Sequence, residues 1–228
     1  MCGPWLNAHM QRIPESELMT DPAQAQAYAD ADFSEPHDAF VAHFAACFPD
    51  FKAGRVLDLG CGGADVTLRF ARAYPDTEIV GVDGAEPMLG LGRAAIRRAD
   101  CADRISLRCA YLPDPHLEYQ AFDAIISNSL LHHLAAPSVL WHAIKHSAKR
   151  NARVCVMDLL RPASREIATQ QLQMYAANAP EILRRDFFNS LLAAYEIEEV
   201  SAQLHAAQLA QLQVKAVSDR HMLIYGYC

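Results

Sequence analysis

The run Arg55-Val56-Leu57-Asp58-Leu59-Gly60-Cys61-Gly62-Gly63-Ala64-Asp65 constrains this chain more than any other stretch. Val56, Leu57 and Leu59 make a short apolar segment entered from a turn at Ala53-Gly54, which reads as the end of a buried strand. Gly60, Gly62 and Gly63 come next, and a helical pattern of Val66, Leu68, Phe70 and Ala71 follows at once. Glycines there permit positive φ and let a ligand approach bare backbone, while the new helix presents free N–H groups. A second acidic site comes one strand later, in Ile79-Val80-Gly81-Val82-Asp83. Asp83 is expected at the carboxyl end of the neighbouring parallel strand, where a carboxylate can take both hydroxyls of a ribose.

From Gly54 onward, strand and helix patterns alternate, which predicts parallel strands joined by right-handed crossovers. Strands are expected near 55–59, 78–82, 105–109, 122–127 and 153–158, with helices near 63–74, 85–99 and 137–149. The alternation then stops. Helical segments rich in Ala, Leu and Gln fill 164–178 and 181–194, and another covers about 196–208. Two strands near 211–217 and 221–227, with Ser218-Asp219 between them, predict a hairpin that puts an antiparallel strand into the sheet. The expected fold is therefore α/β: a Rossmann-like, mostly parallel seven-stranded sheet with an antiparallel C-terminal hairpin strand. Residues 1–50 are expected as an N-terminal helical cap, 51–228 as the main domain, and about 162–194 as an inserted helical segment.

In the cap, Asp21-Pro22 before Ala23-Gln-Ala-Gln-Ala-Tyr28 reads as an N-cap with proline at the first helical position. Residues 32–36 are expected to break that helix. Phe40, Val41, Phe44 and Phe48 then share the apolar face of a second helix.

The loop chemistry separates two cofactor classes. A dinucleotide fold wants a third small residue where this chain has Asp65, whose carboxylate would repel a diphosphate. Asp58 adds a second negative charge. Both suit a ligand with a cationic end. Here the sequence resembles the class I (seven-strand) methyltransferases dependent on S-adenosylmethionine (SAM). The resemblance runs through Asp58-Leu-Gly60-Cys-Gly62-Gly63, Val82-Asp83, and Phe122-Asp-Ala-Ile-Ile-Ser-Asn128-Ser129-Leu-Leu-His132-His133-Leu134. It covers residues 53–160 well and the flanks more loosely.

The resemblance implies SAM as cofactor, S-adenosylhomocysteine as product, and a set of roles. Gly60 and Gly62 would contact the methionine part, and Asp58 would hold its ammonium directly or through water. Asp65 reads either as a cap for its own helix or as a ligand contact. Asp83 would take the ribose, followed by Gly84, and Met88 would pack on adenine. The acid that the family often places after the third strand is missing; Cys109-Ala110-Tyr111 stands there, so backbone groups around Ala110 and Tyr111 are the substitutes. Asn128 and Ser129 would border the transferred methyl, with Leu130 beneath the cofactor. His133 is the histidine expected to face the site, while His132 is expected to be packed or at the surface, both beginning the next helix. His133, Asn128 and Tyr28 are the candidates for a catalytic part, although methyl transfer from a sulfonium needs no dedicated base.

For the methyl acceptor, Tyr28 and Phe33 of the cap are expected to cover the pocket, or else to pack the cap on the core. Arg161, Arg185 and Asn189 are candidates to read a carboxylate on the substrate. The order Arg185, Asn189, Ile197-Glu-Glu-Val200 also resembles the enzymes that make carboxy-SAM for tRNA uridine modification. A methyltransferase fold kept as a non-catalytic partner is the alternative from another class.

Composition narrows the partners. A net charge of -7 over 228 residues argues against a broad phosphate-binding face, so nucleic acid is not expected and a small molecule is. No apolar run nears the ~18 residues that span a bilayer, and the N-terminus lacks the pattern of a signal peptide. Seven scattered cysteines with no Cys-x-x-Cys pair fit a reducing cytoplasm. His142 and His146 lie one turn apart, but no acid or cysteine completes a set, so no metal is expected. The inserted helices read either as a lid or as a homodimer contact.

Overall fold

The computed structural model of the protein describes residues 10–15 and 18–228. Seven strands form one sheet: β1 (Ala53–Leu59), β2 (Asp76–Asp83), β3 (Ile105–Cys109), β4 (Phe122–Asn128), β5 (Ala148–Leu159), β6 (Gln213–Ala216) and β7 (His221–Tyr227). Their order is β3-β2-β1-β4-β5-β7-β6. β1 to β5 run parallel, and β7 enters antiparallel between β5 and β6. The order reverses between β1 and β4, the topological switch point at which open sheets of this kind bind ligands.

The helices are α1 (Pro22–Asp30), α2 (Ser34–Cys47), α3 (Asp65–Ala73), α4 (Glu86–Arg98), α5 (Ser138–Ser147), α6 (Arg165–Ala176), α7 (Glu181–Ala193) and α8 (Ile197–Ala206). Their ends follow the local chemistry. The Asp21 side chain accepts from the Ala23 N–H at 2.8 Å with Pro22 at the first helical position. Ser164 caps α6 by accepting from Ile167, and Glu196 with Glu199 forms a reciprocal capping box on α8. The expected break at 32–36 is shorter than the sequence suggested. α2 already begins at Ser34, because Pro36 lies in the first turn, where its missing N–H would have no helical partner anyway. β5 starts at Ala148, well before the expected 153, following α5 directly.

Each face of the sheet carries its own core. On one, Phe44 of α2 is fully buried and meets the rings of Phe48, Phe51, Phe70 and Tyr74 at centroid distances of 4.7–5.5 Å. On the other, Leu140, Trp141 and Ile144 of α5 pack with Val200 and Leu204 of α8. The cap is thus part of the core. His37 of α2 also holds Asp65 at the start of α3, at 2.6 Å, and Asp65 in turn accepts from Arg69 at 2.9 Å.

The cap and the insertion meet over the carboxyl edge of the sheet. Gln24 of α1 donates to Asp186 of α7 at 2.8 Å, and Arg220, before β7, pairs with Glu35 of α2 at 3.1 Å. Residues 10–15 run alongside α7. The Ile13 N–H donates to the Leu192 carbonyl, and Arg12 donates to the carbonyls of Ala193 and His132 while lying over the Tyr195 ring. No helix among the described residues is long and apolar enough to cross a membrane. None of the six described cysteines is in a disulfide.

Because Phe44 joins cap to sheet, Phe44→Ala is expected to cost about 3–5 kcal/mol of stability, as truncating a buried Phe usually does. Chemical denaturation checks this. A loss below about 1 kcal/mol would mean that the cap docks weakly.

Candidate functional site

A cavity of about 1390 Å³ opens at the carboxyl ends of β1, β2 and β4, roofed by α1, α2 and the α6–α7 segment. Its donor-side wall is the glycine loop. Gly60 and Gly62 adopt φ of 76° and 48°. A Cβ on Gly60 would come within 2.9 Å of Leu130, and one on Gly62 within 3.2 Å of the Met88 Cε. Side chains at Gly60 and Gly62 would crowd their neighbours, and Gly60, Gly62 and Gly63 line the cavity without any.

Asp83 holds this wall together. One carboxylate oxygen accepts from the Gly62 N–H at 2.9 Å and the other from the Ala85 N–H at 2.8 Å. Those two bonds fix the carboxylate at the mouth of β2. Burial raises its pKa, and the N–H groups of Ala85, Gly62 and Gly84 work against that rise. Asp58 is deeper, at 2% exposure, and accepts from the Thr67 hydroxyl at 2.6 Å. Burial pushes its pKa up to about 7, opposed by that hydrogen bond and helped by the nearby Asp83 charge. One buried and one half-buried carboxylate, with no cation bonded to them among the described residues, suit a ligand that brings positive charge.

The remaining cofactor-side expectations fall on the same cavity: Gly84, Met88, Ala110, Tyr111, Asn128 and Ser129 all line it. The Ala110 N–H is spent on the Asp83 carbonyl at 2.9 Å, which leaves its carbonyl for a ligand. Tyr111 is largely exposed at the rim. The Asn128 Oδ1 is buried and has no hydrogen-bond partner among the described residues, so a ligand could provide its donor. Asp114 pairs with Arg108 and does not line the cavity, so the acid missing after β3 is not replaced.

On the acceptor side, Tyr28, Phe33 and His133 line the cavity. Tyr28 stacks on Phe33 at 4.6 Å. Burial, with the charges of Asp65 and Asp83, pushes the Tyr28 phenol up to about 12, so it keeps its proton and can donate a hydrogen bond. His133 is pushed down to about 3, first by burial and then by His132, and is therefore a neutral imidazole.

Four expectations fail. Arg161 is buried among Glu196, Glu199 and the Ala194 carbonyl, where it braces α8 against β5 and does not reach the cavity. Arg185 points outward and pairs with its neighbour Asp186, and Asn189 is exposed on the outer side of α7; neither lines the cavity. Helical phase decides this, since Leu183, Asp186, Phe187 and Ser190 are the α7 residues that face inward. Asp65 does not cap α3: the N-cap is Ala64 at a φ of 63° with no side-chain cap, and Asp65 is taken by His37 and Arg69. His132 and His133 lie in a short 3-10 turn, and the helix starts only at Ser138.

His132 is also no idle packing residue. Its Nδ1–H donates to Asp158 at 2.6 Å, and the other Asp158 oxygen accepts from the Leu131 N–H at 2.7 Å. Burial alone would raise the Asp158 pKa, but the charge and hydrogen bond of His132 outweigh it and hold it low. The His132 ring lies 3.9 Å from that of His133, and Glu15 stands 3.3 Å from the His133 Nδ1. Glu15, His132 and Asp158 are polar residues at the site that the sequence reading missed. Asp158 carried a signal, since it ends the apolar run Val154-Cys-Val-Met157 just as Asp83 ends its own strand. Among the other histidines, the His146 Nε2 lies 3.0 Å from the Leu117 carbonyl, away from any metal cluster.

Comparison with known proteins agrees with this geometry. The family described as a methyltransferase domain matches residues 56–151. A demethylmenaquinone methyltransferase of Symbiobacterium thermophilum is 27% identical over 64% of this chain and 57% of its own length. A ubiquinone/menaquinone biosynthesis C-methyltransferase of Geobacter sulfurreducens is 30% identical over 52% of this chain and 47% of its own. The chain thus spans about half the length of these curated relatives. Among solved structures, a SAM-dependent methyltransferase from Aquifex aeolicus superposes with a TM-score of 0.65 at 16% identity, covering 91% of this chain and 98% of that one, and so shares the fold. Residues 56–151 thus match the methyltransferase-domain family, and the sheet order and superposition give the whole chain the fold of a SAM-dependent methyltransferase.

Proposed function

We propose that the protein moves the methyl group of SAM onto an oxygen, nitrogen or sulfur atom of a small organic molecule; carbon joins that set because one relative is named a C-methyltransferase. The observation that carries this reading is the cavity itself. At about 1390 Å³ it exceeds the roughly 300–1,000 Å³ usual for one ligand, so donor and acceptor have room together. A relative named for demethylmenaquinone supports an acceptor of low molecular weight.

SAM supplies an electrophilic methyl on a sulfonium. Asp58 would balance its ammonium, the loop at Gly60 and Gly62 would follow its methionine part, and Asp83 would take the ribose. Met88, Ala110 and Tyr111 would border the adenine, and Asn128 and Ser129 the methyl. Tyr28 as a donor and neutral His133 as an acceptor would orient the second substrate, with Phe33 covering it. Positioning and the exclusion of water can then supply much of the rate. The carboxy-SAM reading asks for an arginine on the extra carboxylate, and Arg161 and Arg185 are both engaged elsewhere. A purely structural role leaves the buried Asp58, the half-buried Asp83 and the orphaned Asn128 oxygen without a purpose. Release of S-adenosylhomocysteine across a panel of small hydroxylated, amino and thiol acceptors tests the proposal; turnover with none of them, despite tight SAM binding, would count against it.

Asp83→Ala is expected to weaken SAM binding by about 1–3 kcal/mol, two hydrogen bonds at roughly 0.5–1.5 each. Calorimetry with a parallel melting curve checks this, and unchanged affinity in a folded variant would remove Asp83 from the ribose. Asp58 predicts a pH dependence. Its folded pKa of about 7 means that it is mostly protonated at lower pH, whereas a cationic ligand favours the ionised form. Affinity for SAM should therefore rise as pH climbs from about 6 to 7.5, by at most about tenfold per unit. Asp58→Asn should flatten the profile; a slope that survives the substitution would assign the proton elsewhere.

A further inference from the structure

We propose that Glu15, His132 and His133 form a binding site for one divalent transition-metal ion on the wall of the cavity. One ligand atom from each lies within 4.8 Å of the others. Two imidazoles and one carboxylate are a donor set that favours zinc and its neighbours in the first transition row over magnesium or calcium, which prefer all-oxygen shells.

Several independent features favour a cation there. The His132 Nδ1 lies 2.6 Å from Asp158, which holds the ring in one orientation. A carboxylate behind a histidine in this way is the usual outer support of a metal ligand. The Asp158 is itself fixed by the Leu131 N–H, so the support is rigid. The buried Nδ1 of His133 has no hydrogen-bond partner among the described residues and lies 3.3 Å from the Glu15 carboxylate. Burying such a nitrogen costs free energy that a bound cation would offset. Glu15 is positioned from a third direction, accepting from the Ser190 hydroxyl of α7 at 2.7 Å. Arg12, three residues earlier, fastens the same segment to the His132 and Ala193 carbonyls. The ligands thus come from the segment of residues 10–15 and the turn after β4, braced by β5 and α7.

Three protein ligands leave coordination positions open, and both histidines line the cavity. An ion held there would bind an oxygen of the methyl acceptor and favour its deprotonated form. That role rests on the methyl-transfer reading, whereas the existence of the site does not.

Cobalt(II) is the probe, because a site of this kind gives it a visible ligand-field spectrum. Tag-free protein stripped with a chelator is titrated with cobalt chloride, and binding of S-adenosylhomocysteine is measured separately by calorimetry. The expected result is one saturable site, displaced by zinc and not by magnesium, with affinity reduced at least tenfold in both Glu15→Gln and His133→Ala. Melting curves confirm that each variant is folded, and Glu15→Gln, which keeps the shape of the side chain, guards against a collapse of the segment in His133→Ala. Absence of a saturable spectrum, or equal affinity in both folded variants, overturns the site. Failure of S-adenosylhomocysteine to bind while cobalt binds as expected would overturn the methyl-transfer reading and leave the metal site standing.

Discussion

The two hydrogen bonds that Asp83 accepts, from Gly62 and from Ala85, are what the site depends on. They join the loop after β1 to the turn after β2 through one carboxylate. Without that carboxylate the Gly62 and Ala85 N–H groups would lose their shared acceptor, and the loop would be tied to β2 only through the Gly60 and Cys61 N–H groups on the Val82 carbonyl. Burial makes the arrangement costly for a charge, and the N–H groups that surround Asp83 are what allow it to stay at the cavity mouth. The same bonds orient the carboxylate, so the contact that builds the wall also prepares it for a ligand.

The opposite wall is set by how the cap docks. Phe44 anchors α2 in the aromatic cluster, and the His37–Asp65–Arg69 chain fixes the start of α3 against it. Hydrogen bonds to His37 hold the Asp65 carboxyl down at about 2, with Arg69 helping against the effect of burial, so this link is ionised at neutral pH. α1 follows through Gln24 and Asp186, which brings Tyr28 and Phe33 over the cavity. A core contact away from the cavity therefore helps to place the residues that cover it.

Much of this was legible in the chain. The glycine loop, the acid ending β2 and the Asn-Ser pair ending β4 each sit at a strand end marked by an apolar run, and all three face one cavity. The two-strand finish with Ser218-Asp219 gave the antiparallel β7. What failed depended on helical phase and on contacts between segments far apart in sequence. Nothing local told that Glu196 and Glu199 would claim Arg161, or that Asp186 rather than Arg185 would face inward. Glu15 reaches His133 across more than a hundred residues, from a segment with no periodic pattern of its own. Asp158 is different. It obeys the same rule as Asp83, an acid closing a buried strand.

The most direct measurement is a crystal structure of the protein with S-adenosylhomocysteine. The account predicts both ribose hydroxyls within hydrogen-bond distance of the Asp83 carboxylate, the amino acid end against Gly60 with its ammonium toward Asp58, and the sulfur facing Asn128. A ligand bound with its ribose away from Asp83, or one lodged outside this cavity, would contradict it.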